Sequence, residues 1–445
     1  MIVAKFGGSS VADAGQFKKV RAIVEANADR KVIVVSAAGK GVNEVTKVTK
    51  VTDLLIEVEK LRDAGEDYMP VYNHIQSRFV GIRDALGLKV AIEVDLEKIA
   101  KQIPTCSHDY LVSRGEFLTA KLMADFLGYQ FIDAARFLVF DQNGVNYGES
   151  INRLRDFLSY DDHIVVPGFY GVDEDGLTHL MPRGGSDISG SLLANFVDAD
   201  LYENWTDVSG IKMADPRIIN NSRKINELTY EELQELSYMG ISVFQEEAIQ
   251  PAKEKQIPIA ILNTNHPEED GTLVVDSVNS NARQLVTGIA GKKDYVVISI
   301  QKYQLNKRLD VMAKVFSVIQ KFGVKFDYVP AGTDSIQFLA KRADVDGKLM
   351  AIVNALKSAC DLDSVKLEKN IAMVAAVSSQ LSQRPAIAGK ILDLLDNSQI
   401  KIHLVVQEGS DIKVVFGVAN SDYEKTIEKI YRSTAVSATR LKMVI

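Results

Sequence analysis

Few residues of this sequence belong to the types that mark secreted, zinc-bound or membrane proteins. Only two of the 445 residues are cysteines, Cys106 and Cys360, and they lie far apart. Neither a disulfide framework nor a cysteine metal site is therefore supported. No apolar run approaches the roughly 20 residues that a membrane-spanning helix needs, and the first residues resemble a strand and not a signal peptide. These absences predict a cytoplasmic protein.

Positive charge is too sparse for a nucleic-acid-binding protein. Lys and Arg number 52 against 59 Asp and Glu, which gives a net charge of -7, whereas a protein that neutralises phosphates needs a basic face. The nearest candidate, the stretch from Lys40 to Lys50, is interleaved with Thr, Val and Glu and favours a solvated loop or helix. The six histidines show no spacing that suits a metal site. We expect small-molecule partners, with no nucleic acid and no membrane.

The sequence up to about residue 285 predicts an α/β fold. Hydrophobic residues make up 46% and charged residues 25% of a chain long enough for two or three domains. Short Val/Ile-rich runs alternate with amphipathic helical segments, which is the pattern of a mainly parallel sheet sandwiched by helices. The clearest predicted strands are 2–6, 31–36, 163–167 and 257–262, and the predicted helices include 16–26, 115–127 and 189–197.

The rest of the chain contains a weak internal repeat. Without gaps, segment 313–316 aligns with 389–392, and the same offset sets Asp346 against Asp422. Each copy reads strand, helix, strand, turn, strand, helix, which is the order of a ferredoxin-like βαββαβ module. The second strand of the first copy is predicted at 324–329.

This repeat sets the predicted domain organisation. Two small modules behind a catalytic domain suggest regulation, by analogy of fold. The predicted domains are 1–290, 294–366 and 369–445, and segment 284–292 is a further candidate part of the last one.

A glycine pair follows the first predicted strand, in Lys5-Phe6-Gly7-Gly8-Ser9-Ser10. Because Gly7 and Gly8 lack a Cβ atom, backbone N–H groups can approach anionic oxygens there, and Lys5 adds a positive charge for a transferring phosphoryl group. The structural alternative is a tight strand-to-helix turn with an exposed lysine.

A second motif, Ser113-Arg114-Gly115-Glu116, stands at the predicted start of the helix at 115–127. Ser113 and Glu116 have the spacing of a capping box, which satisfies the first backbone donors of a helix. The functional alternative is that Glu116 holds the ammonium group of a substrate.

A third motif, Arg183-Gly184-Gly185-Ser186-Asp187, precedes the helix at 189–197. The arginine can grip a carboxylate with two hydrogen bonds while the glycines leave room for a substrate. The structural alternative is that Ser186 and Asp187 cap the helix.

The fourth motif joins Trp205-Thr206-Asp207 to Asp215-Pro216-Arg217. Asp207 can orient a nucleotide or a metal-bound water and Arg217 can reach a phosphate, although two turns led by aspartate explain the pattern as well. The sequence has no Walker motif and no dinucleotide-binding motif that opens a helix, which excludes those common nucleotide folds.

With these motifs in place, the sequence resembles the aspartate kinases of the amino acid kinase family over nearly its whole length. Residues 5–10 are similar to the family's Lys-Phe-Gly-Gly-Thr/Ser-Ser opening, and the repeated modules are similar to its paired ACT domains. Further motifs follow in the family's order and approximate spacing at 34–37, 51–55, 113–116, 168–169, 183–187 and 205–217. The resemblance implies that ATP phosphorylates the β-carboxylate of L-aspartate, the first step of lysine, threonine and methionine biosynthesis.

The resemblance also implies a role for each matched residue. Lys5 and Asp187 are the implied catalytic residues. The implied aspartate contacts are Ser36, Thr52, Glu116, Phe169, Arg183 and Ser186. The implied nucleotide contacts are Lys5, Gly7, Gly8, Ser9, Thr206, Asp207, Lys212 and Arg217. Mg²⁺ is expected to accompany ATP without a dedicated protein cage.

The sequence departs from the family pattern in two regions. On the nucleotide side, Lys212 stands where many members have tyrosine, and Ser242 stands where many have lysine, so that Lys212 is a candidate to replace the missing charge. In the first ACT-like module, 306–310 and 331–335 differ from the pattern of lysine-inhibited members. Lysine, threonine, both together or no effector all stay open.

The resemblance implies a homodimer formed through the ACT-like modules, or a dimer of such dimers. Because the sequence ends soon after the second module, we expect an enzyme without a fused homoserine dehydrogenase. One alternative is another amino acid kinase, such as glutamate 5-kinase or acetylglutamate kinase, but Glu116 with Arg183 argues against an N-acylated substrate. The other is an amino-acid sensor with a decayed nucleotide site, against which Lys5, Asp187 and Asp207 argue.

Overall fold

The computed structural model divides the chain into two compact units. The first comprises Met1–Ile211, Lys224–Ser237 and Ser242–Val278, and the second comprises Lys212–Arg223, Tyr238–Ile241 and Asn279–Ile445. The structure describes residues 1–40, 49–158, 163–182, 184–241, 243–278, 285–381, 386–407 and 412–440. Within those ranges, no helix has both the length and the apolar character needed to cross a membrane.

The first unit alternates strands and helices, as the sequence pattern predicts. Its strands are β1 (Ile2–Phe6), β2 (Arg30–Val35), β3 (Gln130–Phe131), β4 (Phe140–Asp141), β5 (Gly144–Val145), β6 (Ile164–Pro167), β7 (Tyr170–Val172), β8 (Thr178–Leu180), β9 (Leu201–Thr206), β10 (Glu227–Thr229), β11 (Ile259–Asn263) and β12 (Thr272–Val275). Its helices are α1 (Ala14–Glu25), α2 (Val51–Asp63), α3 (Met69–Leu86), α4 (Ile92–Gln102), α5 (His108–Leu127), α6 (Tyr147–Arg155), α7 (Gly185–Phe196), α8 (Tyr230–Tyr238) and α9 (Ile249–Glu254).

Eight of these strands form one mainly parallel sheet in the order β10-β12-β11-β9-β1-β2-β6-β3, in which only the β11–β12 pair is antiparallel among the pairs described. Residues of β1 alternate between the two faces. Ala4 and Phe6 are buried in a core built with α1 to α5. Helix α7 also contacts β1, and its Asp187 forms an ion pair with Lys5. The predicted α/β sandwich is confirmed.

Helix α5 begins earlier than predicted. Ser107 is its N-cap and its side chain accepts a hydrogen bond from the Tyr110 N–H. Ser113 lies inside the helix, where its hydroxyl donates to the Tyr110 carbonyl. The capping-box interpretation of Ser113 and Glu116 is therefore wrong, because the first turn is already capped six residues upstream.

The second unit contains one antiparallel sheet with strand order β14-β13-β15-β17-β16. Its strands are β13 (Gly288–Gln301), β14 (Ser335–Lys341), β15 (Ser364–Val377), β16 (Ile402–Val406) and β17 (Lys413–Ala419). Its helices are α10 (Leu309–Lys321), α11 (Arg342–Val345), α12 (Leu349–Ala359), α13 (Ala386–Asn397) and α14 (Tyr423–Arg440).

The two long strands β13 and β15 belong to both copies of the repeat. Residues 295–301 pair with β14 in the first copy, whereas 288–292 pair with 373–377 in the second. Residues 371–377 pair with β17 in the second copy. The two copies are therefore joined into a single sheet.

The strand predicted at 324–329 is not formed. This segment contributes one isolated bridge, from Tyr328 to Leu339, and a second isolated bridge follows it from Ala331 to Ile336. Pro330 lies between them and accepts a hydrogen bond from the Gln337 N–H, but it has no N–H to donate in return. A regular ladder is interrupted at that point.

The gapless alignment of the repeat is correct for the first strands and wrong for the third. Tyr295 pairs with Lys341 in the first copy, and its counterpart Ile371 pairs with Ala419 in the second. The second copy therefore has two more residues between these strands. Asp346 corresponds to Glu424 and not to Asp422.

Candidate active site

The carboxyl ends of β1, β2, β6 and β9 surround a cavity of about 740 Å³. In open α/β sheets this is the edge at which ligands bind. Twelve of the residues singled out in the sequence line it: Lys5, Gly7, Gly8, Ser9, Ser36, Thr52, Glu116, Phe169, Ser186, Asp187, Thr206 and Asp207. Residues as far apart in the sequence as Lys5 and Asp207 therefore meet at one place.

Two of the candidate residues that the structure describes, Lys212 and Arg217, are not among those that line the cavity. Arg183 lies outside the described residues. Lys212 and Arg217 lie in the segment that groups with the second unit. There Arg217 is exposed and forms an ion pair with Asp215, with Nη2 2.6 Å from Oδ2, and the Asp215 carboxylate also accepts from the Arg217 N–H. This is the turn led by aspartate that was the structural alternative.

A buried ion pair forms the polar centre of the cavity. Lys5 Nζ lies 2.5 Å from Asp187 Oδ1, and both side chains are largely buried, so the alternative of an exposed lysine is wrong. The cap of α7 is Gly184, without a side-chain hydrogen bond, so Ser186 and Asp187 do not cap the helix. The carboxylate of Asp187 instead forms an ion pair with the ammonium group of Lys5 on β1.

Asn204 is a third member of this centre, and sequence reasoning missed it. Its side-chain amide donates to Asp187 Oδ1 over 2.7 Å, and it lies directly beside Lys5 across the β1–β9 pair. Central strands of a parallel sheet are usually apolar. A buried asparagine in such a strand was therefore a signal that could have been used.

The glycine loop is held close to a second glycine. The Gly39 N–H donates to the Gly8 carbonyl over 2.8 Å, and a Cβ added at Gly39 would lie 2.5 Å from the Gly8 carbonyl carbon. Gly8 also starts a 3-10 turn, Gly8–Val11, whose first N–H groups have no partner within the turn. This loop offers donors to an anion at the same edge as Lys5.

Glu116 forms another wall of the cavity from the middle of α5. It is 4% exposed, and its Oε2 has no hydrogen-bond partner among the described residues. Burial raises the pKa of its carboxyl to about 8, and the hydrogen bond from the Ala37 backbone and the nearby Arg114 charge oppose this only in part. Such a carboxyl favours a cationic ligand that restores its ionised form.

Two further lysines line the cavity, Lys40 and Lys50. They end the lysine-rich stretch that the sequence favoured as a solvated loop or helix, whose residues 41–48 lie outside the described part. Together with Lys5 they bring three ammonium groups to a wall that also carries the carboxyl groups of Asp53, Glu116, Asp187 and Asp207, and an ammonium group suits a phosphate as a compact positive charge. The position of Lys40 soon after the predicted strand at 31–36 was the available signal.

Comparison of the sequence and the fold with known proteins identifies the family of this chain. Residues 1–263 match the model of the amino acid kinase family, and 374–433 match an ACT domain. The chain belongs to the amino acid kinase family. Among curated members, aspartokinase 3 of Bacillus subtilis (strain 168) is 32% identical over 97% of this chain and 98% of its own.

Solved structures of the family have the same architecture. The aspartate kinase of Clostridium acetobutylicum superposes with a TM-score of 0.88 at 39% identity, covering 97% of this chain and 99% of that one. Escherichia coli aspartokinase III, solved in complex with aspartate and ADP, gives a TM-score of 0.77 at 22% identity over 97% and 99%. The second comparison supports the fold.

Proposed function

We propose that this member of the family is an aspartate kinase, which transfers the γ-phosphoryl group of ATP to the β-carboxylate of L-aspartate. The observation that carries the proposal is the cavity itself. It combines a buried Lys5–Asp187 pair, a glycine loop and the buried carboxyl of Glu116, whose Oε2 has no hydrogen-bond partner among the described residues. The similarity to two aspartate kinases over nearly the whole chain supports it.

The reaction needs charge neutralisation more than proton transfer. An oxygen of the β-carboxylate attacks the γ-phosphorus, the bond from that phosphorus to the bridging oxygen breaks, and ADP leaves with 4-phospho-L-aspartate formed. The acceptor is already ionised at neutral pH, so no general base is required. Two anions must approach each other, and in this proposal Lys5 stabilises the charge on the transferring group.

On the aspartate side, Glu116 binds the α-ammonium group in this proposal. The hydroxyls of Ser36, Thr52 and Ser186 contact the β-carboxylate, and Phe169 lines the pocket. Arg183, which lies outside the described residues, is assigned to the α-carboxylate because its fork suits a bidentate contact. Recognition of aspartate then matches each charge with its opposite.

On the nucleotide side, the phosphates lie against Lys5 and the backbone of Gly7, Gly8 and Ser9. Thr206 and Asp207 complete this wall. Lys212 and Arg217 remain proposed contacts. The carboxylates of Asp187 and Asp207 offer the hard oxygen ligands that Mg²⁺ prefers, and Mg²⁺ bound with ATP would neutralise phosphate charge.

Regulation and assembly extend the proposal to the second unit. An amino-acid effector, lysine, threonine or both, is proposed to act through the ACT-like modules, and the chain is proposed to form a homodimer or a dimer of dimers. The proposed catalytic domain ends near residue 290, with modules at 294–366 and 369–445. A cytoplasmic location is proposed because the phosphoryl donor is ATP.

Trapping of the acyl phosphate tests the proposal. The protein is incubated with MgATP, L-aspartate and hydroxylamine, and both ADP and aspartyl hydroxamate are measured, with L-glutamate and N-acetylglutamate in parallel. We expect equal amounts of ADP and hydroxamate, formed only with aspartate. Product from glutamate instead would identify another amino acid kinase, and no product from folded protein would favour the amino-acid sensor.

A further inference from the structure

Arg78 stands at a position of α3 where the helix pattern favours an apolar side chain. Ile75 and Ile82, about one turn on either side of it, are both buried, and residues three and four positions apart share one face of a helix. Burial lowers the pKa of the Arg78 guanidinium, and the nearby Asp13 charge opposes this only in part. Because burial of a cation is costly unless the cation is paired, packing of the helix alone does not account for an arginine here.

The guanidinium of Arg78 donates to three backbone carbonyls that belong to three loops. Nη1 donates to the Thr49 carbonyl over 2.9 Å. Nη2 donates to the Ala12 carbonyl over 3.0 Å and to the Gly39 carbonyl. Arginine suits such an arrangement because its planar fork carries five N–H donors in fixed directions. One side chain therefore joins three loops of the first unit.

Two of these contacts hold the glycine loop at both of its ends. The 3-10 turn of this loop, Gly8–Val11, is followed by its C-cap Ala12, whose carbonyl accepts from Arg78 directly. At the other end, the Gly8 carbonyl accepts from the Gly39 N–H over 2.8 Å, and the Gly39 carbonyl accepts from the same nitrogen of Arg78. The start and the end of the turn are therefore tied to a single atom, Nη2.

The third contact fixes the start of α2. Thr49 directly precedes Lys50, which is the N-cap of that helix. Lys50 and Thr52 both line the cavity, as Gly8 and Gly39 do. The hydrogen bond from Arg78 to the Thr49 carbonyl therefore holds a second part of the cavity wall in register with the glycine loop.

We propose that Arg78 is a positioning residue for the nucleotide phosphates, which holds the glycine loop and the start of α2 in the arrangement that binds them. Arg78 is not among the described residues that line the cavity, so it acts through the backbone of its neighbours and not by contact with the nucleotide. This inference rests on the proposed function, in which the glycine loop contacts ATP, and extends it to a residue of α3.

The role depends on the geometry of the three hydrogen bonds and not on the positive charge alone. A lysine at this position would keep the charge, but its ammonium group is a compact point on a flexible stem and lacks the planar fork. It cannot hold all three carbonyls in the same directions. Arg78→Lys should therefore be impaired, which distinguishes positioning from a long-range effect of charge on the phosphates.

Calorimetric titration of the intact chain with MgADP tests this role. We expect Arg78→Ala to weaken binding about tenfold or more, because a displaced loop loses its alignment with the phosphates. Arg83→Ala is the matched control. Arg83 is a second half-buried arginine of α3, but its side chain bonds the carboxylates of Asp84 and Glu93 and not the loops. Its removal should leave the affinity for MgADP unchanged.

Chemical rescue separates positioning from a loss of stability. Free guanidinium ion, added at millimolar concentration far below its denaturing range, should restore part of the affinity of Arg78→Ala by taking the place of the missing group. Potassium chloride at the same concentration is the reference for salt screening. Guanidinium should not improve binding by the wild type or by Arg83→Ala, and it would weaken binding further in a variant that is merely destabilised.

The proposal is overturned if Arg78→Ala binds MgADP as tightly as the wild type, or if Arg78→Lys does, since charge alone would then suffice. It is equally overturned if guanidinium acts alike on Arg78→Ala and Arg83→Ala. Arg78→Lys carries the test if Arg78→Ala does not fold. A wild type that binds no MgADP would overturn the proposed function as well, whereas unchanged affinity in the variants overturns the role of Arg78 alone.

Discussion

Asn204 donates a 2.7 Å hydrogen bond to Asp187 on Oδ1, the oxygen that also lies 2.5 Å from Lys5 Nζ. The three side chains come from β9, α7 and β1. One carboxylate oxygen therefore fixes the positions of a lysine and an amide, in a residue that also lines the cavity. The orientation of the implied catalytic lysine depends on this shared contact.

Removal of the amide should impair the chemical step. We expect Asn204→Ala to lower kcat about tenfold with little change in the KM values, because Asp187 loses one of its two donors and holds Lys5 less firmly. Steady-state kinetics measure this. Asn195→Ala is the control, because it removes another buried asparagine, whose side chain donates to the Pro251 carbonyl away from the cavity. If kcat falls as much in Asn195→Ala as in Asn204→Ala, the loss reflects general destabilisation and not the contact with Asp187.

Removal of the lysine charge should have a larger effect. We expect Lys5→Met to lower kcat by about 10²–10³-fold, as loss of a donor aimed at developing charge does in other enzymes, with a smaller change in the KM for aspartate. Lys40→Met is the control, since Lys40 lines the same cavity but is exposed. Normal kcat with a strongly raised KM in Lys5→Met would contradict the catalytic role.

The affinity for aspartate should depend on pH through Glu116. Its raised pKa of about 8 means that the carboxyl is neutral below that pH, whereas the substrate ammonium group binds the ionised form. The KM for aspartate should therefore fall by up to about tenfold per pH unit as the pH rises toward 8 and then level off. Tyr170, which faces Glu116, stays neutral in this range because burial raises its pKa.

Glu116→Gln is the variant that assigns this pH dependence. It should weaken aspartate binding and give a flat KM profile from about pH 6 to 9. A variant that keeps the slope of the wild-type profile would show that another group titrates. The ATP KM, measured in the same assays, should change little in both proteins.

The close contact of two glycines gives a prediction for the nucleotide wall. In Gly39→Ala the new Cβ would lie 2.5 Å from Gly8, so the loop must move, and we expect the KM for ATP to rise about tenfold or more. Gly81→Ala on α3 is the control, because a Cβ added there would meet no atom within 4 Å. It should raise the free energy of unfolding by about 0.5–1 kcal/mol. An unchanged KM for ATP in Gly39→Ala would remove this loop from the nucleotide site.

The sequence was sufficient for the elements of the first unit that have strong local signals. Strand β1 and the residues after it were predicted because a short, mainly apolar run, Ile2–Phe6, is followed directly by a glycine pair. Asn204 and Lys50 were missed because their importance depends on which strands and loops are neighbours. The role of Ser113 was misjudged because a capping-box spacing inside a helix looks the same as one at its start.

The second unit shows a different limit of sequence reasoning. The repeat was visible, but its two-residue shift was not, because weak similarity does not locate an insertion. Only the pairing of Tyr295 with Lys341 and of Ile371 with Ala419 fixes the register. The second strand of the first copy is reduced to isolated bridges on either side of Pro330, although its β-branched residues favoured a strand.

The assignment of segment 212–223 to the second unit has a consequence for protein engineering. The chain leaves the first unit after β9 and returns before β10, while Met213 accepts from the Ile289 N–H over 2.7 Å and the Arg223 N–H donates to the Tyr431 hydroxyl over 3.0 Å. The regulatory half is therefore not a contiguous cassette. A chimera joined at one crossover near residue 280 would combine this segment with foreign packing partners, so exchange of regulatory properties between relatives requires 212–223 and 238–241 to be transplanted together with the C-terminal modules.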